Sequence, residues 1–291
     1  MPENAPETSP APLVSVVLNS YNYGRYVRQA MESVFAQCYR PLELIVVDDG
    51  STDDSKAVIE GCAARAPIPT TLLFKENGGQ ASALNAGFAQ AKGTHVFALD
   101  SDDYWMPDKI QQMMSFALSL PDAGLYQHQL RHESGGLDKD LLISGDLAAV
   151  WRKVRSVNMA LPRHLGAVFV PTTGLGWRAE VLQRILPIPE RLVTCADAYL
   201  TRMACLHGPL YSHPEPLGVW RDHGGNAGRQ GQYGFHRYWL PVVRPALNAA
   251  LIAAHEDIRF VYHPSAQIAE PWLELQRALL RRLRSGTRKR V

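Results

Sequence analysis

Four times between residues 13 and 120, the chain passes from a short apolar run into a polar loop and then into a segment with apolar residues at helical spacing. Residues 13–18 (LVSVVL) are the first run, followed by the loop Asn19-Ser20-Tyr21-Asn22-Tyr23-Gly24 and by Val27, Met31, Val34 and Phe35 on one helix face. A second strand over 42–47 follows Pro41 and ends in Asp48-Asp49-Gly50-Ser51-Thr52, with a helix expected over 55–64. The third cycle is a strand at 71–74, the loop Glu76-Asn77-Gly78-Gly79-Gln80 and a helix with Leu84 and Phe88 inward. Residues 95–99 (HVFAL) give a fourth strand that stops in Asp100-Ser101-Asp102-Asp103. Pro107 then opens a helix to 118, since proline in a first helical turn loses no needed hydrogen bond. This alternation predicts an α/β fold with a mostly parallel sheet covered by helices on both faces. Ligands of such sheets bind beyond the carboxyl ends of the strands, where every polar loop named above falls.

Past Pro121 the alternation breaks. Residues 125–130 read as one more strand, 131–146 as a loop and 147–154 as a helix. The turn Pro171-Thr172-Thr173-Gly174 precedes a helix near 179–186, closed by Pro187 and Pro189. A further helix is expected over 196–206, a strand over 217–221, and helical structure from Tyr238 onward. The pattern divides the chain into a lead-in (1–12), a first half (13–120), a second half of the same domain (121–235) and a C-terminal helical region (236–291).

Composition narrows the picture little. A formal net charge of +2 gives no reason to expect nucleic acid as a partner. Cys38, Cys62, Cys195 and Cys205 lack CxxC spacing and read as reduced thiols in a cytoplasmic protein. The acidic, proline-rich start is neither a signal peptide nor a spanning helix and reads as disordered, and no apolar run is long enough to cross a bilayer.

The chemistry gathers at the strand ends. Asp100, Asp102 and Asp103 repel one another at the end of a buried strand, and a divalent cation relieves that repulsion. Mg²⁺ and Mn²⁺ take oxygen ligands, often one or two carboxylates together with substrate phosphates. The plainer alternative is an acidic turn capping the next helix. Asp49 can accept the imide N–H of a pyrimidine base or belong to a capped turn. Tyr21 can lie against a base or be an ordinary half-exposed tyrosine. Asn77-Gly78-Gly79-Gln80 matches neither a Walker loop nor a GxGxxG fingerprint. It leaves a helix start that can receive a phosphate through backbone N–H groups, or a plain loop.

As an ordered set, SVVLNSYNYGRYVRQAMESVFAQ, ELIVVDDGSTDDS, ENGGQASALNAGFAQAKG and FALDSDDYWMPDKI closely resemble the nucleotide-binding half of a family 2 glycosyltransferase of the GT-A fold. The resemblance continues less tightly through TTGLGWRAEVLQRILPIPE, ADAYLTRMA and LGVWRDHGGN. It implies a Rossmann-like sheet with a later acceptor-binding half and a helical tail. It makes Asn19, Tyr21 and Asp49 contacts to the nucleoside, with Asn77, Gly79, Gln80 and Arg221 also at the donor. Asp100 then lies by the ribose, Asp102 and His223 hold Mn²⁺ or Mg²⁺, and Asp103 is an extra acid of less definite role. Many members carry Glu-Asp where this chain has Ala196-Asp197, which leaves Asp197 as the catalytic base.

The implied reaction is inverting transfer from a nucleoside diphosphate sugar. Asp49 suits the uracil imide of UDP, although a thymidine donor shares that edge. A glycan or glycolipid of envelope polysaccharide assembly is the expected acceptor, with a small molecule as the alternative. A binding module without catalysis, or a phosphatase using Asp100 as nucleophile, are rival readings. Intact Asp100, Asp102 and Asp197 argue against the first, and Tyr104 at the last place of the DxDx(T/V) pattern against the second. Near the C-terminus, Trp272, Leu275, Leu279 and Leu283 form a stripe with Arg277, Arg281 and Arg284 on another face. That helix can touch an anionic membrane surface or be an ordinary surface helix with a basic tail.

Overall fold

The computed structural model of the protein describes residues 10–136, 144–158, 169–224 and 235–261. The start of the lead-in and the basic stripe from Trp272 to Arg284 lie outside them. The four expected cycles are present as β1 (Val14–Ser20), α1 (Gly24–Phe35), β2 (Leu42–Asp48), α2 (Ser55–Ala63), β3 (Thr70–Phe74), α3 (Gln80–Phe88), β4 (His95–Asp100) and, after the two-residue β5 (Tyr104–Trp105), α4 (Lys109–Leu118). β3, β2, β1 and β4 lie side by side, all parallel. Successive strand residues point to opposite faces, and β1 uses both. Val14, Val16 and Leu18 enter a core with Val27 and Met31 of α1 and Ile110 of α4, while Val17 joins Leu84 and Phe88 of α3 in a second core. Burial on both faces explains why these runs are nearly continuous in apolar residues.

The second half extends the same sheet. β6 (Leu125–His132), β8 (Leu175–Arg178) and β9 (Leu210–Trp220) complete the order β3-β2-β1-β4-β8-β6-β9-β5. β8 runs antiparallel to both of its neighbours, and β6 pairs in parallel with β9. α5 (Leu147–Val154), α6 (Ala179–Ile185), α7 (Ala196–Ala204) and α8 (Arg244–Ala253) all contribute to the core that contains α3.

Three expectations are corrected. The 131–146 segment is not loop from its start, because β6 runs on to His132. The late strand is not confined to 217–221, because β9 begins at Leu210. The region after Tyr238 is not wholly helical, because β10 (Arg259–Val261) pairs in parallel with β7 (Ser156–Asn158). Among the described residues, no helix is long and apolar enough to cross a membrane.

Candidate active site

The carboxyl ends of β1, β2 and β4 are in register. Ser20 pairs with Asp48, and Asn19 with Asp100, so the loops carrying Asp49 and the acidic turn open along one edge. That turn is tight, with Asp103 N–H donating to the Asp100 carbonyl at 3.0 Å. Its three acids face different partners.

Asp100 accepts a hydrogen bond from Asn19 and a long one, 3.5 Å, from Gln80 Nε2. Burial, then the charge of Asp102, pushes its carboxyl up to about 7, and Asp197 adds to the effect. Asp102 Oδ2 lies 2.9 Å from His223 Nε2 and bonds to the Tyr23 hydroxyl. The same imidazole packs edge-on to Tyr23 and against Tyr26, with ring centroids 5.4 and 4.9 Å away. Asp103, 1% exposed, accepts from the Thr173 hydroxyl and, at 2.7 Å, from Arg221 N–H. Burial and the two neighbouring carboxylates raise its pKa well above the usual range. Asp103 therefore clamps the turn to the second half.

Arg221, expected at the donor, lies beside the acidic turn. At 5% exposed, its guanidinium donates to Glu133 at 3.2 Å, to the Asp102 carbonyl at 2.9 Å and to Gln29 at 2.6 Å, above the rings of Tyr26 and Tyr104. These contacts hold the acidic turn.

Asn77-Gly78-Gly79-Gln80 is open in sequence to two readings, a helix start that receives a phosphate and a plain loop, and its Gly78, Gly79 and Gln80 N–H groups have partners within the protein. Gly78 and Gly79 N–H groups donate to the Asp49 carboxylate, the latter at 2.7 Å, while Gln80 N–H goes to the Val193 carbonyl at 2.9 Å and Ala81 N–H to that of Leu192 at 3.2 Å. The helix start offers none of these four donors to a ligand, and the Asn77 side chain is exposed. Asp49 is buried and also receives Lys75 Nζ at 2.7 Å. It organises the loop between β3 and α3, and only part of its acceptor capacity is left for a base. Tyr21, 45% exposed, stands at the surface of the same edge.

The second half delivers Asp197 in the first turn of α7, where its Oδ1 accepts Ala198 N–H at 2.8 Å. The preceding residue but one, Cys195, takes the left-handed conformation (φ 58°) and supplies no side-chain cap. Burial raises the pKa of Asp197, against the lowering effects of the Ala198 bond and of Arg202. Arg202 is itself buried, its guanidinium 4.9 Å from the Phe169 ring centre and 5.1 Å from that of Trp239, with NH1 donating to the Ala198 carbonyl at 3.1 Å. Its pKa falls to about 10, chiefly through burial.

Among the described residues, no three His, Cys, Asp or Glu side chains form a ready metal cage. The chemistry at Asp102 fits a different kind of site. One carboxylate and one imidazole in contact, beside two carboxyls that resist ionisation, suit a hard divalent cation that takes its remaining ligands from phosphate oxygens.

Sequence reasoning missed Tyr23, Thr173, Lys75 and Arg202. Only Lys75 carried a usable signal, a lone cation immediately before the glycine loop and within reach of the strand end that presents Asp49.

Comparison with known proteins bears on the fold and the family. The chain is 35% identical over 222 residues to an uncharacterized glycosyltransferase of Nostoc sp., covering 73% of this chain and 66% of that one. It spans 33% of the length of an uncharacterized glycosyltransferase of Rickettsia prowazekii, to which it is 38% identical over 110 residues. The fold matches S. aureus TarS 1-349 in complex with UDP at TM-score 0.61 and 19% identity, over 82% of this chain and 65% of that one. It also matches the mannosyltransferase PcManGT from Pyrobaculum calidifontis in complex with GDP-Man and Mn²⁺ at TM-score 0.57 and 20% identity, over 96% and 84%. These likenesses give the chain the GT-A architecture. Residues 15–186 match the model of Glycosyl transferase family 2, a span that includes the acidic turn and stops short of Asp197, Arg221 and His223. With more than half of its length so matched, the chain belongs to glycosyl transferase family 2.

Proposed function

We propose that this protein transfers a sugar, with inversion, from a nucleoside diphosphate to an acceptor hydroxyl, aided by a divalent cation, and that UDP carries the sugar. The observation that supports this most is geometric. One side chain, Gln80, bonds both to Asp100 at the end of β4 and to the N–H of Ala196, the neighbour of Asp197 at the start of α7, which brings the two acids to one seam. Inversion requires the hydroxyl to attack from the face opposite the departing diphosphate, so the base and the phosphate site belong on opposite sides of the sugar. Asp197 takes the hydroxyl proton as the new bond forms, an effect typically worth about 10²–10⁴ in rate. Its raised pKa makes it a stronger base than an ordinary aspartate.

Asn19 and Tyr21 are assigned to the nucleoside, with Asp49 reading the base imide through its remaining lone pair. Asp100 is assigned to the ribose. Asp102 and His223 would hold Mn²⁺ or Mg²⁺, which when bound offsets the charge gathering on the diphosphate. Tyr23 orients both ligands, and Arg221 and Asp103 fix the turn that presents Asp102. A glycan or glycolipid of envelope polysaccharide assembly is the assigned acceptor, with a small molecule as the alternative. The C-terminal basic segment is assigned to an ordinary surface helix with a basic tail, with peripheral contact to an anionic membrane surface as the alternative.

The test is thermal shift with UDP, dTDP, GDP and CDP, each with and without Mn²⁺, followed by assay of UDP release from UDP-sugars. UDP at 100 times its Kd should raise Tm by roughly 5–10 °C, and more with Mn²⁺ than without. Asp102→Asn and Asp197→Asn should both abolish turnover, and only the former should weaken UDP binding. A protein that binds none of the four nucleotides, or that turns over unchanged in both variants, would refute the proposal.

A further inference from the structure

The side chain of Gln80 crosses the seam between the halves. Its Nε2 lies 3.5 Å from Asp100 Oδ1 and 3.3 Å from Thr172 Oγ1, and its Oε1 accepts the Ala196 N–H at 3.0 Å. The amide has only one workable orientation. Ala196 N–H can only donate and so must face the oxygen, whereas a carboxylate oxygen of Asp100 can be met only by the nitrogen. Both Nε2 hydrogens are then engaged and the oxygen is engaged once, which leaves the group poorly equipped to grip a diphosphate. The main chain is pinned as well, through the bonds of Gln80 N–H to Val193 and Ala81 N–H to Leu192. The Ala196 N–H is the first of α7, a helix whose own N-cap residue offers no side-chain acceptor. Gln80 therefore caps, from the first half, the helix that carries Asp197 in its first turn.

We infer that Gln80 is a positioning residue that sets the distance between Asp100, on the donor side, and Asp197, the base, by bonding to the ends of both elements. This rests on the reading of Asp197 as base. A side chain that bridges two elements through opposite ends of one planar amide transmits displacement in either direction. Misplacing a reacting group by about 1 Å is worth on the order of 10² in rate. Loss of the bridge thus acts on the chemical step and leaves nucleotide binding alone.

The variants that test this are Gln80→Met, which keeps length and loses every bond, and Gln80→Glu, which keeps an acceptor for Ala196 and turns a second carboxylate toward Asp100. Three readouts are needed: kcat for UDP release from the UDP-sugar that the wild type uses, Kd for UDP with Mn²⁺, and hydrogen exchange of a peptide spanning Ala196. Gln80→Met should lower kcat by about 10–100-fold, hold Kd within about 3-fold and speed exchange at Ala196. Gln80→Glu should lower kcat at least as much while Ala196 stays protected, and it serves as the test should the methionine variant fold poorly. A rise in Kd with kcat preserved would make Gln80 a donor contact and overturn the inference. So would unchanged kcat in both variants. Asp197→Asn in the same assay separates the two levels, because an active Asp197→Asn refutes the base assignment, whereas an inactive one beside fully active Gln80 variants refutes only the bridge.

Discussion

His223 Nε2 lies 2.9 Å from Asp102 Oδ2, joining the loop after β9 to the acidic turn after β4. Neither group is much exposed, with side chains 8% and 11% accessible, and the Tyr23 and Tyr26 rings fix the plane of the imidazole. A carboxylate and a ring nitrogen held in contact by surrounding packing are spaced to share one cation. Treatment with EDTA should abolish UDP release, and Mn²⁺ should restore it. His223→Ala should raise the half-saturating Mn²⁺ concentration by at least about 10-fold, and Asp102→Asn should resist rescue at any concentration. Titration of Mn²⁺ in the presence of UDP checks both, and equal Mn²⁺ affinity in wild type and His223→Ala would remove His223 from the ligand set.

The pH dependence of kcat/KM follows from Asp197. Burial holds its pKa above the ordinary aspartate value, so the form able to accept a proton is lost on acidification earlier than for an exposed aspartate. The acid limb of the profile should therefore lie above about pH 3.9, the unperturbed aspartate value. Arg202 opposes this rise, so Arg202→Gln should move the limb further upward. The two profiles, recorded on variants shown by circular dichroism to be folded, decide the matter. A limb that stays in place in Arg202→Gln would mean that another group controls it.

What could be read from the sequence was what repeats along the chain. The parallel strands β1, β2 and β4 bury both faces, so each is an apolar run, and each acid that ends one was placed correctly at the sheet edge. β8 escaped notice because Leu175–Arg178 is only 4 residues long and includes a glycine. That glycine is there for the packing, since a Cβ on Gly176 would sit 2.3 Å from the Phe97 ring. β9 was cut short by Pro214 and Pro216, which argue against a strand inside a sheet. The irregularities opposite Gln129, where it pairs with Pro216, accommodate them. Within the site, Asp49, Asp100 and Asp102 were legible as strand termini. The directions of Tyr23 and Thr173 were not, because a turn has no period from which to infer where a side chain points, and Gln80 stands at the first position of α3, where no preceding helical turn sets one.

Gly79 limits how closely the two halves meet. Its φ is +85°, and a Cβ there would lie 2.6 Å from Val193 Cα and 2.9 Å from the Val193 carbonyl oxygen. Gly79→Ala should destabilise the protein by roughly 2–4 kcal/mol through backbone strain and overpacking together. Its turnover should also fall as the bonds from Gln80 and Ala81 to the Val193 segment are pushed apart. Gly61→Ala is the control, because its added Cβ would meet nothing within 4 Å. Urea denaturation of both variants measures the contrast, and equal losses would show that the seam is not the point of stress.

Lys109 sets a burden on the core that can be removed. It is fully buried at the start of α4, its Nζ has no hydrogen-bond partner, and it lies 3.4 Å from the Trp105 ring centre and 3.9 Å from that of Phe97. Those ring faces favour a cation by about 2 kcal/mol when desolvated, whereas removing an ammonium from water costs several kcal/mol, so burial wins and its pKa drops well below the usual lysine value. A folded-state pKa below the unfolded one means that the unfolded chain binds the extra proton. Stability therefore rises with pH through the window between the folded value and about 10.4 and is depressed below it. Lys109→Met keeps the length and apolar stem without the amine, and should stabilise the protein near neutral pH by about 1–3 kcal/mol. Its advantage should shrink as pH climbs toward the lysine value and the wild-type penalty fades. Denaturation midpoints at pH 7 and pH 9.5 test both parts, since a variant that is less stable than wild type at pH 7 would mean that the aromatic faces outweigh burial and Lys109 is charged in the core.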